Sequence, residues 1–237
     1  MNASVYKAVS GAIAQMRRLD ITAQDLANVS TSGYKGQRIT FAEVLTGSSS
    51  ASERPGGLVA NGEQKTNFNQ GEFQTTGNPF HLAINGEGVF AIQTSRGERY
   101  TRNGSFTLKA DGTLVTAAGD PVLGESGPLQ ITGSRIQVGV DGTVNSDGSE
   151  IGKLRIVRFL NPRLAVKEGT NLFNASPVNI ENVAEPTVHQ GELEQSNVSA
   201  VEGMISLITL HRQFEAYQRA MALIDSMTQK AIADAPA

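Results

Sequence analysis

Near the start of the chain apolar residues recur in alternating steps of four and three, at Val5, Val9, Ala12, Met16, Leu19, Ala23 and Leu26. That spacing is the a/d seam of a coiled coil rather than the broader face of a globular helix. Gln15, Arg17, Arg18, Asp20, Thr22 and Gln24 fill the opposite side. One helix is predicted from Ser4 to about Asn28, about 36 Å long at 1.5 Å per residue. Near the other end Leu207, Leu210, Phe214, Tyr217, Met221 and Ile224 repeat the same steps. A second helix is predicted from about Ala200 to Ala233, about 50 Å long. Ser199 and Glu202 in front of it have capping-box spacing. Each narrow seam needs a partner, and nothing helical follows the first, so the two ends are expected to pair.

Between them the pattern changes to short apolar-polar alternations separated by Gly, Asp and Asn. Asp111-Gly112 separates Phe106–Leu108 from Thr113–Val115, and Asp141-Gly142 separates Ile136–Val138 from Thr143–Val144; such spacing predicts antiparallel hairpins. Arg38–Leu45 carries weak strand signals, and the Ser- and Gly-rich run Thr46–Gly57 is expected to be a mobile loop. Lys153–Leu160 alternates charged with apolar side chains and is expected to be one half-buried strand, stopped by Asn161-Pro162. Gln190-Gly-Glu-Leu-Glu194 echoes Gln70-Gly-Glu-Phe-Gln74, which suggests two neighbouring strands.

The fold class is therefore α+β: terminal helices pairing as a coiled-coil-like domain, with a central antiparallel β-rich domain. The expected boundaries are 1–35 plus 199–237 for the helical part, 36–78 plus 178–198 for a connecting region, and 79–177 for the β domain.

Composition narrows the chemistry. With 20 basic against 23 acidic residues and a net charge of −3, the chain shows no nucleic-acid footprint. It has no cysteine, so disulfides, Cys-ligated metals and thiol nucleophiles are excluded. No apolar run is long enough to span a membrane, and Arg17 and Arg18 break what a cleaved secretory signal would need. His81, His189 and His211 have no metal-ligand spacing. Gly86-Glu-Gly88-Val-Phe-Ala91 has the spacing of a dinucleotide loop, but a β-branched run follows where a helix should open, and a hairpin turn at Asn85-Gly86 explains both glycines. Asp141–Gly148 lacks the glycine and glutamate of a calcium loop. Arg99 and Arg102 are expected on a solvated or ion-paired strand face. No cofactor, metal or small-molecule substrate is expected, and the chain is read as not an enzyme.

Three stretches resemble one family. Asp25-Leu-Ala-Asn-Val-Ser-Thr-Ser-Gly-Tyr-Lys35 is similar to the N-terminal signature of the bacterial flagellar axial proteins of rod and hook, matching at Leu26, Ala27, Asn28, Thr31, Gly33, Tyr34 and Lys35, with Asp25 where the family usually has Asn. Thr75–Phe90 and Tyr100–Phe106 resemble its middle segments, with Val89 for an aromatic. Gly191, Leu193, Glu194, Ser196, Asn197 and Val198 match its C-terminal signature. The resemblance implies a structural subunit of the flagellar basal-body rod. Such a subunit is exported by the flagellar type III apparatus without a cleaved signal, and assembles with copies of itself and other rod proteins into the shaft that crosses the periplasm and carries torque to the hook. The short β region and Gly127-Pro128-Leu129 resemble a proximal-rod member most, with a distal-rod or other axial member second. A more remote reading is a secreted peptidoglycan-cleaving enzyme, whose mark is a cleft with two facing carboxylates.

Overall fold

A computed structural model describes residues 3–40, 43–44, 58–59, 63–133 and 135–233. The expected loop Thr46–Gly57 lies outside the described residues. The chain forms two compact units, one built from residues 1–27, 37–65 and 199–237, the other from 28–36 and 66–198.

The first unit is helical. α1 spans Ala3–Ala27 and α2 spans Ala200–Ala233, and they pack together as the seams require. Gly203 lies against Leu26 and Gly11 against the Tyr217 ring, so the pair is antiparallel. Ser199 Oγ accepts from the Glu202 N–H at 3.4 Å and caps α2. Two strand pairs complete this unit. β1 (Gln37–Thr40) pairs with β4 (Glu63–Thr66), and β2 (Glu43–Val44) pairs antiparallel with β3 (Leu58–Val59).

The second unit is built of short strands. In chain order they are β5 (Phe73–Thr75), β6 (Leu82–Asn85), β7 (Val89–Thr94), β8 (Gly97–Thr101), β9 (Phe106–Leu108), β10 (Leu114–Thr116), β11 (Leu123–Gly124) and β12 (Gly127–Pro128). Then come β13 (Ile136–Val138), β14 (Thr143–Ser146), β15 (Ser149–Lys153), β16 (Ile156–Phe159), β17 (Val166–Glu168), β18 (Leu172–Asn174), β19 (Ile180–Asn182), β20 (Thr187–Gln190) and β21 (Glu192–Glu194). A six-stranded antiparallel sheet in the order β17-β18-β8-β7-β16-β19 forms its centre. The two Asp-Gly turns connect β9 to β10 and β13 to β14 as the pattern predicts.

The sheet is apolar on both faces, and β7 shows why. Phe90 and Ile92 point into one core with Leu82, Ile84, Phe106, Leu114, Leu154 and Ile156. Val89 and Ala91, on the opposite side, join Tyr100, Val157 and Phe173. Phe90 meets Phe106 edge-on at 5.1 Å, and Phe68 meets Phe173 at 5.0 Å. Fully burying each such ring contributes about 1.5–3 kcal/mol.

Two local expectations are corrected. Lys153–Leu160 is not one half-buried strand: Lys153 ends β15, β16 starts at Ile156, and Ile156 and Val157 are both buried because each face of the sheet has its own core. The Asn85-Gly86 turn is not a hairpin, since β6 pairs with β20 while β7 pairs with β8 and β16. A strand, not a helix, begins at Val89, so the dinucleotide geometry is absent there. The echo of Gln70–Gln74 in Gln190–Glu194 does mark neighbours: β5 and β21 pair antiparallel with Leu193 opposite Gln74.

Candidate functional site

The most specific arrangement in the molecule lies in the β unit, where a charge from each of three distant segments is buried together. Glu194 at the end of β21, Lys35 and Arg102 are 1%, 1% and 4% exposed. Glu194 Oε1 accepts from Lys35 Nζ at 2.5 Å and from the Gly71 N–H at 2.8 Å, while Oε2 accepts from Arg102 Nε at 2.5 Å. Lys35 Nζ also donates to the Asn69 carbonyl at 2.7 Å. The Arg102 guanidinium donates to the carbonyls of Ile84 (2.5 Å), Gly86 (2.8 Å) and Gly88, tying down the turn between β6 and β7. Burial lowers the Lys35 pKa; Glu194 opposes that shift and Arg102 adds to it. Two cations share one carboxylate, so removing Glu194 would leave both buried without a counter-charge.

The segment leading into Lys35 explains the rest of the N-terminal signature. The Asn28 carbonyl accepts from the Thr31 N–H at 3.1 Å, which closes the turn that ends α1. Gly33 has φ +68°, a Cβ there would lie 2.5 Å from Arg102 C, and its N–H donates to the Glu194 carbonyl at 2.7 Å. Only glycine meets both demands. Tyr34 is fully buried beneath the Lys167 ammonium, 3.6 Å from the ring centroid, and Lys167 Nζ donates to the Lys35 carbonyl at 2.7 Å. Asp25, in the helical unit, accepts from the Gln37 N–H with both carboxylate oxygens at 3.2 Å, a function that asparagine performs with one.

The C-terminal signature supplies the complementary half. The Gly191 carbonyl accepts from the Thr76 and Gly77 N–H groups at 2.8 and 3.0 Å, and Leu193 is buried. Ser196 Oγ accepts from the Val198 N–H at 3.2 Å. Asn197 Oδ1 accepts from the Gly36 N–H at 2.9 Å, and Nδ2 donates to the carbonyls of Asn67 and Asn69 at 2.8 Å each.

The seam residues are placed unevenly. Leu207, Leu210, Phe214, Tyr217, Met221 and Ile224 are all half-buried. On α1, Ala12 is buried and Leu19, Ala23 and Leu26 are half-buried, but Val9 and Met16 are 39% and 51% exposed. The Val5 side chain lies outside the described ones. The α1 face turned inward includes Gln15, whose Oε1 is buried with no partner among the described residues. Arg99 and Arg102 were expected on a solvated or ion-paired strand face; both are ion-paired, to Glu168 and Glu194, but Arg102 is buried rather than half-exposed. The available signal was that Lys35, Arg102 and Glu194 each fall within a stretch that matches the family.

No group of three metal-ligating side chains occurs among the described residues. Asp141 accepts from Thr143 Oγ1 and N–H, which hold its pKa below the usual carboxylate range. A cavity of about 630 Å³ opens beside Lys35 and Arg102 and is lined by Phe68, Phe159 and Leu160, with Glu87 as its single carboxylate. Two facing carboxylates, the mark of a peptidoglycan hydrolase, are not in its lining. No described helix is long and apolar enough to cross a membrane.

Comparison with known proteins fits this arrangement. Residues 6–35 match the family "Flagella basal body rod protein", 83–148 match "Flagellar hook protein FlgE/F/G D1 domain", and 189–234 match "Flagellar basal body rod FlgEFG protein C-terminal". The chain is 34% identical to the flagellar basal-body rod protein FlgF of Caulobacter vibrioides, over 98% of this chain and 97% of that protein. It belongs to the flagellar basal-body rod protein family. Other similar members are FlgF of Escherichia coli, 30% identical over 98% of this chain and 97% of that protein, and FlgG of Bacillus subtilis, 30% identical over 97% of each. Lys35 and Glu194 therefore lie in regions matched by two separate rod-protein families, and Arg102 lies in the hook-domain match. As a member of this family the chain is a structural axial subunit of the flagellum that assembles with other rod proteins.

Proposed function

We propose that the chain is the proximal-rod subunit FlgF, exported through the flagellar type III apparatus and polymerised through its terminal helices into the periplasm-crossing part of the drive shaft. One observation carries the reading. The α1–α2 pair leaves two sets of large apolar side chains in solvent: Val9, Ile13 and Met16 on α1, and Val201, Met204, Ile205 and Ile208 on α2. A helix apolar on two sides is built to be covered twice. α1 covers the Leu207–Ile224 seam, and a neighbouring subunit covers the other side. The two exposed sets differ in sequence, so a contact joining one to the other is heterologous. Unless its rotation closes a ring, it propagates as a helical tube. The buried group of Lys35, Arg102 and Glu194 fixes the Asn28–Gly36 segment within the β unit of each subunit. FlgF relatives align over nearly their whole length, and so do FlgG relatives at similar identity.

The test is complementation. The gene should restore motility to a strain lacking FlgF and not to one lacking FlgG, and an Ile208→Asp variant should fail while its purified product keeps the β-sheet circular dichroism of the parent. Rescue of the FlgG-deficient strain alone would move the chain to the distal rod. Full motility of Ile208→Asp would remove the exposed helix face from the assembly.

A further inference from the structure

The three charges at the junction are far apart in sequence: Lys35 and Glu194 are separated by 159 residues, and Arg102 and Glu194 by 92. The last to be made is the only anion of the three. Until Glu194 arrives, docking the Lys35 segment beside Arg102 would bury two cations against each other with no counter-charge. The same late stretch supplies further anchors, beside those from Lys167, Asn171, Asn67 and Asn69. The Glu194 carbonyl takes the Gly33 N–H, Asn197 takes the Gly36 N–H, and β20 and β21 are the strand partners of β6 and β5. The six-stranded sheet has no such dependence, since all its strands lie between Val89 and Asn182.

We infer that Glu194 is a folding latch: the segment from Asn28 to Gly36 stays undocked within the β unit until β20 and β21 have been delivered, so this segment docks last although it is made early. A chain emerging N-terminus first, from a ribosome or a secretion channel, folds its central sheet before it can dock its Asn28–Gly36 segment. The driving difference is electrostatic and desolvative, and it holds whichever rod position the subunit occupies.

Pulse-labelled hydrogen exchange during refolding of the full chain tests this. The Ala91 and Gln93 amides, bonded within the sheet region to Arg155 and Pro121, should gain protection first. Those of Gly33, Gly36 and Gly71 should gain it later, together with those of β20 and β21. At equilibrium, Glu194→Gln should speed exchange at Gly33, Gly36 and Gly71 by ~10-fold or more while leaving Ala91 unchanged. Glu192→Gln, a change on the same strand outside the junction, should do neither. Protection of Gly33 and Gly36 in the same phase as Ala91 during wild-type refolding would overturn the latch, whatever the variants do. Wild-type exchange at Gly33 in a folded Glu194→Gln protein would overturn it equally.

Discussion

In the β unit Phe90, Phe106 and Phe173 are completely buried, whereas in the helical unit Phe214 is only half-buried. Ala12 is the one apolar side chain of the helical unit, among the described residues, that is fully buried. Both units follow an apolar pattern faithfully, but a strand packed in a two-faced sheet is covered on both sides within one chain, while two paired helices cover each other along a single line. The β unit thus buries its aromatic core within its own chain, although Val140, Leu160, Leu164, Val166 and Val178 stay exposed. Among the described residues, the helical unit keeps apolar side chains such as Ile13, Met16, Ile205 and Ile208 exposed, and its isolated stability should be correspondingly low.

That contrast can be broken by experiment. The largest effects should come from the β unit. Phe90→Ala and Glu194→Leu are each expected to cost about 3–5 kcal/mol, the first by opening a cavity and the second by stranding Lys35 and Arg102. Urea unfolding followed by circular dichroism would show both, whereas Phe214→Ala should shift the same transition far less. Equal losses at Phe90 and Phe214 would mean that the helices are as self-sufficient as the sheet. Next in size is Gly33→Val, which places a β-branched residue at φ +68° against the Arg102–Asn103 backbone. Strain alone should cost about 1–3 kcal/mol, visible as faster amide exchange from Asn28 to Gly36 with the six-stranded sheet unaffected.

A smaller effect sharpens the comparison at alkaline pH, because the buried titratable groups with shifted pKa lie in the β unit. Lys35 is lowered from 10.5 by burial, so the unfolded chain binds the extra proton; this contribution to stability is fully present above 10.5 and lost as pH falls through the lowered value. Tyr100 is raised from 10.0 by burial and by its hydrogen bond to Glu98, so its contribution is present below 10.0 and lost as pH climbs further. Stability should rise toward pH 10 and then fall; Lys35→Met should flatten the rise and Tyr100→Phe the fall. A profile unchanged by either substitution would show that neither group titrates with folding. The smallest effect expected is that of Met16→Ala, within about 0.5 kcal/mol in the isolated subunit because the side chain is half exposed. Its consequence should appear in assembly, as reduced incorporation into basal bodies, and a large loss of monomer stability would show that Met16 packs within its own chain.

The same residues show how far the sequence could be read. Leu207 to Ile224 share one half-buried side of α2, since a helix's repeat is local. On α1 the period was read as one seam; in the single chain Val9 and Met16 are exposed while Gln15 Oε1 is buried. The heptad identifies an apolar side, but the angle at which α2 crosses it selects which part of that side is covered. The strand echo at Gln70 and Gln190 was readable because pairing preserved both segments' pattern. Arg102 was not, because a guanidinium on a strand reads the same whether it meets water or a buried carboxylate.

The sequence by itself determined both helices, their pairing, the antiparallel β middle with its Asp-Gly turns and the family. These depend on periodicity, turn chemistry and motif, all of which act over a few residues. Tertiary structure alone decided that Glu194 would lie between Lys35 and Arg102, that β16 would be apolar on both faces, and that α1 would keep Val9 and Met16 in solvent. Each of those outcomes depends on which distant segment arrives opposite, and a buried charge or an open face acquires its energy only from that neighbour.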